Sequence, residues 1–150
     1  SSPLARARQT AAPLGGTCPI AVGVDEALVE IHMGELEGLS GADFAARWPE
    51  IAAAWRAEPH AVSLPGGERI AEVQARGVEA FARIARTVGP GETVVVVTHQ
   101  ILLATLVCHL RGSPICDFRT YMHRNTGVTT VELGETPRVV TFDDATHLEG

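Results

Sequence analysis

Val94 to Val97 are four consecutive β-branched apolar residues, placed after the turn cluster Gly89-Pro90-Gly91 and before the polar pair Thr98-His99. A run without polar alternation predicts a strand buried on both faces, as inner strands of parallel sheets are. The apolar sequence from Ile101 to Leu110 then predicts a helix. His99 is therefore expected where a central strand ends and a helix begins. Ligands of open α/β sheets bind at that edge. A helix N-terminus also offers free N–H groups and partial positive charge to an anion. The functional reading is a histidine aimed at an anionic group such as a phosphate. The plain alternative is a histidine that merely ends a strand, and this stretch alone leaves the two open.

The other elements follow from the same patterning. Ser2 and Pro3 have the chemistry of an N-cap and a first helical residue, for a helix ending near Leu14, before Gly15-Gly16. Arg6 falls in its second turn, close enough to the helix start to face a site there, although a lone arginine on a helix is ordinarily solvated. Ile20 to Val24 predicts a short strand. Leu28 to Gly38 has no period of either kind and reads as an irregular loop carrying Glu30, Glu35 and Glu37. One of these carboxyls is a candidate general acid, if its surroundings favour the protonated form; solvation of all three is the alternative.

Ser40 to Trp48 and Glu50 to Ala57 predict helical segments around Pro49, with Trp48 and Trp55 serving the core. Glu68 to about Val88 predicts the longest helix, with a stripe from Ile70 and Val73 to Val88 and Gly77 allowing close packing. A further helix is expected from Ser113-Pro114 to Tyr121. A hairpin is expected from Gly127 to Leu133 and Arg138 to Phe142, with a polar tail closing over the domain edge.

Composition narrows the classes. The chain has 150 residues, 45% hydrophobic and 20% charged, which suits one globular domain with a core. Its net charge of −6 argues against general nucleic-acid binding. Three cysteines without pair spacing, Cys18, Cys108 and Cys116, imply reduced thiols and a cytoplasmic protein. No signal peptide pattern is visible, and the longest apolar stretch is too short to span a bilayer, so no membrane role is expected. No His-Glu-x-x-His or Cys-x-x-Cys spacing occurs, so neither a metal nor any other cofactor is called for.

Five segments, in order, resemble the histidine phosphatase superfamily, the phosphoglycerate-mutase-like proteins. They are Ser2-Pro3-Leu4-Ala5-Arg6-Ala7-Arg8-Gln9-Thr10-Ala11; Leu28 to Gly38, with Glu30, Gly34 and Glu37-Gly38; Pro65-Gly66-Gly67-Glu68; Val97-Thr98-His99; and Asn125 with Asp144 to Leu148. The resemblance implies a single three-layer α/β/α domain over residues 1–150 with a mostly parallel sheet. It implies metal-independent phosphomonoester hydrolysis through a phosphohistidine. Arg6 would bind the substrate phosphate, Glu30 would protonate the leaving group, and His99 would be the second, cationic histidine of the pocket. The Gln100 backbone N–H would complete the anion site.

One departure dominates. The nucleophile of the family lies in an Arg-His-Gly motif, and that triplet does not occur here. His32, His60, His109, His123 and His147 are not placed to replace it, His109 being expected deep in a helix. The chain is thus expected to be N-terminally truncated, lacking the first strand, first helix and most of the second strand. The open sheet edge so created would favour a homodimer. Two other readings stay open: a phosphate-binding or interaction module without catalysis, and a phosphoglycerate-mutase-type phosphotransferase.

Overall fold

A computed structural model describes residues 1–17 and 20–149; Cys18, expected as a reduced thiol, lies outside them. The described residues form five α-helices: α1 Ala5–Thr17, α2 Gly41–Arg47, α3 Pro49–Ala57, α4 Ile70–Ala85 and α5 Gln100–Leu110. Short 3₁₀ turns sit at Glu26–Leu28, Gly34–Leu36, Pro59–Ala61, Ile115–Tyr121 and Thr146–Leu148. Two strands, β1 Val128–Glu132 and β2 Arg138–Asp144, form an antiparallel hairpin.

The core lies between α4 and α5. Ile70, Val73, Gly77 and Ala80 are the buried face of α4. The stripe is displaced from the one expected, for Val78, Phe81 and Ile84 are only partly buried. A Cβ on Gly77 would stand 3.4 Å from Leu102 Cγ, an ordinary contact distance, so the packing of α4 on α5 does not itself require the glycine expected to allow it. On α5, Leu102 and Ala104 to Cys108 are all buried, and Phe118 of the following 3₁₀ segment joins them. His109 is exposed on α5 rather than deep within it.

Trp48 breaks the chain between α2 and α3 at φ −135° and ψ 69°. Pro49 then starts α3, where its missing N–H is no loss. Both tryptophans pack on the core, as expected, from separate helices. The α1 helix begins at Ala5, three residues after Ser2, and runs through Pro13 to Thr17 instead of ending near Leu14.

The expected mostly parallel sheet does not appear among the described residues, where the hairpin is the only sheet. Val94 to Thr98 belongs to no strand. A strand requires a ladder of partners, and the Val97 carbonyl accepts from the Ser2 N–H at 2.9 Å without a ladder on either side. Val94, Val95 and Val96 are 47%, 59% and 40% exposed instead of buried. Ile20 to Val24 is likewise in no strand, although the Ser1 amino group reaches the Gly23 carbonyl at 2.8 Å and the Asp25 N–H reaches the Ser1 carbonyl at 3.0 Å. Ser1-Ser2 therefore joins the two segments that were expected as strands. Among the described residues no single helix is long and apolar enough to cross a membrane.

Candidate active site

The site is built at the start of α5. His99 is extended at φ −126° and ψ 166°, and the helix begins at the next residue. The first turn of any helix leaves N–H groups without intrahelical acceptors. Here the Glu30 carboxylate takes two of them. Its Oε2 accepts from the Ile101 N–H at 3.2 Å and its Oε1 from the Leu102 N–H at 3.3 Å. Oε1 also accepts from the Ile31 N–H at 2.9 Å. A negative charge is favoured at this end of the helix dipole.

Arg76 of α4 sets the loop that carries Glu30. Its Nε and Nη2 donate to Glu68 at 2.7 and 3.0 Å. Its Nη1 donates to the carbonyls of Ala27 and Val29 at 2.9 and 2.8 Å, and its Nη2 to that of Glu30 at 3.1 Å. Thr98 Oγ1 donates to the Leu28 carbonyl at 2.8 Å, fixing the same loop to the residue before His99. Burial works against the Glu68 charge, but the Arg76 hydrogen bonds prevail and hold its carboxyl below the ordinary range.

Two glycines lock this loop to the turn at residues 65–68. Gly34 has φ +61°, and a Cβ there would lie 2.1 Å from the Pro65 carbonyl oxygen. A Cβ on Gly67 would lie 2.6 Å from the His32 carbonyl oxygen. The close approach allows Glu35 N–H to Pro65 O at 2.9 Å and Glu68 N–H to His32 O at 2.8 Å.

His99 is 8% exposed and held from two sides. Arg6 Nε donates to Nδ1 at 3.2 Å, and Nε2 lies 2.8 Å from Ser2 Oγ. A guanidinium has no lone pair to offer, so Nδ1 is the acceptor and the ring proton sits on Nε2. Burial, and then the Arg6 charge, lower the His99 pKa, while Glu30 opposes them. His99 is therefore neutral in this arrangement. The imidazolium expected when the ring holds a phosphoryl group would have to give up the Arg6 contact, because a protonated Nδ1 cannot accept.

Arg6, Glu30 and His99, far apart in sequence, thus meet at one helix end. Gln100 is the first residue of α5, and its side chain donates to the His123 carbonyl at 2.9 Å. The other carboxylates of the loop are exposed and turned elsewhere: Glu35 pairs with Arg47 at 3.2 Å and Glu37 with His32 at 3.4 Å. Geometry therefore separates Glu30 from its two neighbours. Sequence reasoning missed Ser2 and Arg76 as parts of the site. An arginine beside Val73, Gly77 and Ala80 on the long helix was a visible signal, because a charge on an apolar face needs partners. His123 was also missed: it is buried, its Nε2 lies 2.6 Å from Thr129 Oγ1, and burial lowers its pKa. Among the described residues no group of three or more His, Cys, Asp or Glu side chains is placed to hold a metal ion.

The chain is similar to known proteins of one family. The family model for the histidine phosphatase superfamily (branch 1) matches residues 1–144. Phosphoserine phosphatase 1 of Hydrogenobacter thermophilus is 29% identical over 140 residues, covering 93% of this chain and 66% of its own length. A metal-independent phosphoserine phosphatase of Arabidopsis thaliana is 31% identical over 152 residues, covering 99% of this chain and 61% of its own. The chain thus spans somewhat less than two thirds of these relatives. Among solved structures, Bacillus stearothermophilus YhfR superposes with a TM-score of 0.91 at 31% identity, over 98% of this chain and 73% of the other. A mycobacterial glucosyl-3-phosphoglycerate phosphatase, Rv2419c, gives 0.84 at 29% identity, over 96% and 74%. With the matched model covering nearly every residue and the fold shared with these structures, the chain belongs to the histidine phosphatase superfamily, branch 1.

Proposed function

We propose that the protein acts in metal-independent hydrolysis of a small phosphomonoester through a phosphohistidine, with Arg6, Glu30 and His99 as the part of the machinery carried by these residues. The observation that carries the reading is their convergence at the N-terminus of α5. Phosphoryl transfer needs cationic donors around the equatorial oxygens and a proton for the leaving oxygen. Arg6 supplies a permanent cation. An arriving phosphate draws Arg6 off Nδ1, and His99 then takes up a proton and becomes the second cationic donor. Glu30 stands at the same helix end, where it would deliver a proton to the leaving alkoxide. The N–H of Gln100 and those released by Glu30 face the anion.

The Arg-His-Gly triplet is absent from the 150 residues. In this proposal the nucleophile lies outside them, on a strand beside Val94 to Thr98 that completes a mostly parallel three-layer domain. The same absence favours a second reading, a phosphate-binding module without turnover. A cytoplasmic setting and a homodimer formed at the exposed Val94 to Val96 segment belong to the proposal as well.

The test is turnover of phosphoserine and of p-nitrophenyl phosphate in chelator. A protein extended upstream by an Arg-His-Gly strand should be active and form an acid-labile, base-stable phosphoenzyme; the 150-residue chain alone should be nearly inactive. Robust activity of the short chain, abolished by His99→Ala, would make His99 the nucleophile. Inactivity of both, with phosphate still bound, would favour the binding module.

A further inference from the structure

We propose that Ser2 is a positioning residue for His99: its hydroxyl anchors the Nε2 edge of the imidazole so that Nδ1 remains the edge presented to the anion. This rests on the reading of His99 given above but concerns a residue to which that reading assigns no role. Ser2 is completely buried. Its Oγ has two partners, His99 Nε2 at 2.8 Å and the Leu4 N–H at 3.3 Å, just before α1. Its own N–H is fixed to the Val97 carbonyl at 2.9 Å, two residues before His99. The hydroxyl is therefore held by backbone on both sides, and it cannot follow the ring if the ring turns.

The two contacts on the imidazole differ in permanence. Arg6 is exposed, and its guanidinium is the group an anion attracts away. Once it leaves, Nδ1 loses its partner and only the Ser2 side still holds the ring. The Nε2 proton given to Ser2 Oγ then does two things: it keeps the ring plane fixed, and it leaves Nδ1 as the nitrogen that takes the incoming proton. Without the hydroxyl, the ring could rotate about its side-chain torsions and offer either nitrogen. Orientation of an imidazole by its far nitrogen is a general device.

The test begins with the protein itself, labelled with ¹⁵N and titrated with sulfate, whose charge does not change over the range used. The His99 Nε2 proton should be slow to exchange with water, with and without sulfate. Fast exchange in the wild type would overturn the proposal, and that measurement needs no variant. Ser2→Ala should lose the protection and populate both neutral tautomers, while Ser2→Thr should keep a single one. In the active form, Ser2→Ala should lower kcat by about 10- to 100-fold, the effect usual for partners that orient a functional imidazole. KM should change little, because Arg6 still meets the phosphate. Equal loss in both variants, or an unchanged kcat with one tautomer kept, would overturn it. An inactive wild type would defeat the hydrolytic reading alone, since the exchange measurement still decides the role of Ser2.

Discussion

Arg6 Nε donates to His99 Nδ1 across 3.2 Å, so the cation expected to hold substrate rests on the imidazole expected to assist it. Both nitrogens of such a pair cannot carry protons toward each other. Binding of an anion by Arg6 and protonation of His99 are consequently linked, each favouring the other.

Sulfate binding should therefore take up close to one proton per site at neutral pH, read from calorimetry in buffers of different ionisation enthalpy. Arg6→Ala should weaken sulfate binding strongly and raise the pKa of His99, since a nearby positive charge is removed. Binding with no proton uptake would show that the guanidinium remains on Nδ1 when the anion is present.

Glu30→Gln should act on stability and on chemistry to very different extents. The amide replaces one acceptor oxygen at the Ile101 and Leu102 N–H groups with a donor. The loss resembles that of a helix cap, about 1 kcal/mol, measured by urea unfolding. Turnover in the active form should fall by about 10²–10⁴-fold, as expected for loss of a general acid. A fall of only a few-fold would remove Glu30 from that role.

Arg76→Met removes five hydrogen bonds, leaving three loop carbonyls without this donor and the Glu68 carboxylate with the His32 N–H. Breaking a largely buried pair of this kind destabilises by about 3 kcal/mol. The urea midpoint should drop with an unchanged slope. Arg76→Lys should rescue little, because an ammonium cannot span the carboxylate and the carbonyls together.

Acidification should destabilise the fold in a window set by two histidines. Burial lowers the pKa of both His99 and His123 below the ordinary value near 6.5. The unfolded chain then binds protons that the native state refuses. Stability from these residues is complete above about pH 6.5 and is lost as pH falls through their folded values. The melting temperature should decline below about pH 6.5, before the carboxylates of Asp25, Glu68 and Asp143, also lowered, titrate at more acid pH. Sulfate should flatten the His99 share. A flat profile from pH 7 to 5 would contradict both assignments.

Much of the site was legible because its residues sit in short motifs whose chemistry is local. His99 before an apolar helix could be read from local chemistry, whereas Arg6, and Glu30 among three loop carboxylates, were singled out by the family resemblance. What could not be read was which groups those residues touch. The Arg6 contact on Nδ1, the Glu30 cap on α5 and the hydroxyl of Ser2 are relations across 71 to 97 residues of sequence. The run Val94 to Val97 has the composition of an inner strand, yet composition specifies only a preference. Pairing comes from neighbouring backbone, and the described residues give this run no ladder.

The close approach of Gly34 and Gly67 has a consequence for how fast the acid can act. With the loop of Glu30 pinned at the 65–68 turn and at Arg76, its backbone is denied the slow opening and closing of a flap. Glu30 is left to change place through its own side-chain torsions, by giving up its hydrogen bonds to the Ile31, Ile101 and Leu102 N–H groups, whereas collective loop closure takes microseconds or longer. In the hydrolysis proposed above, delivery of a proton would then depend on the torsions of one side chain and not on travel of its loop.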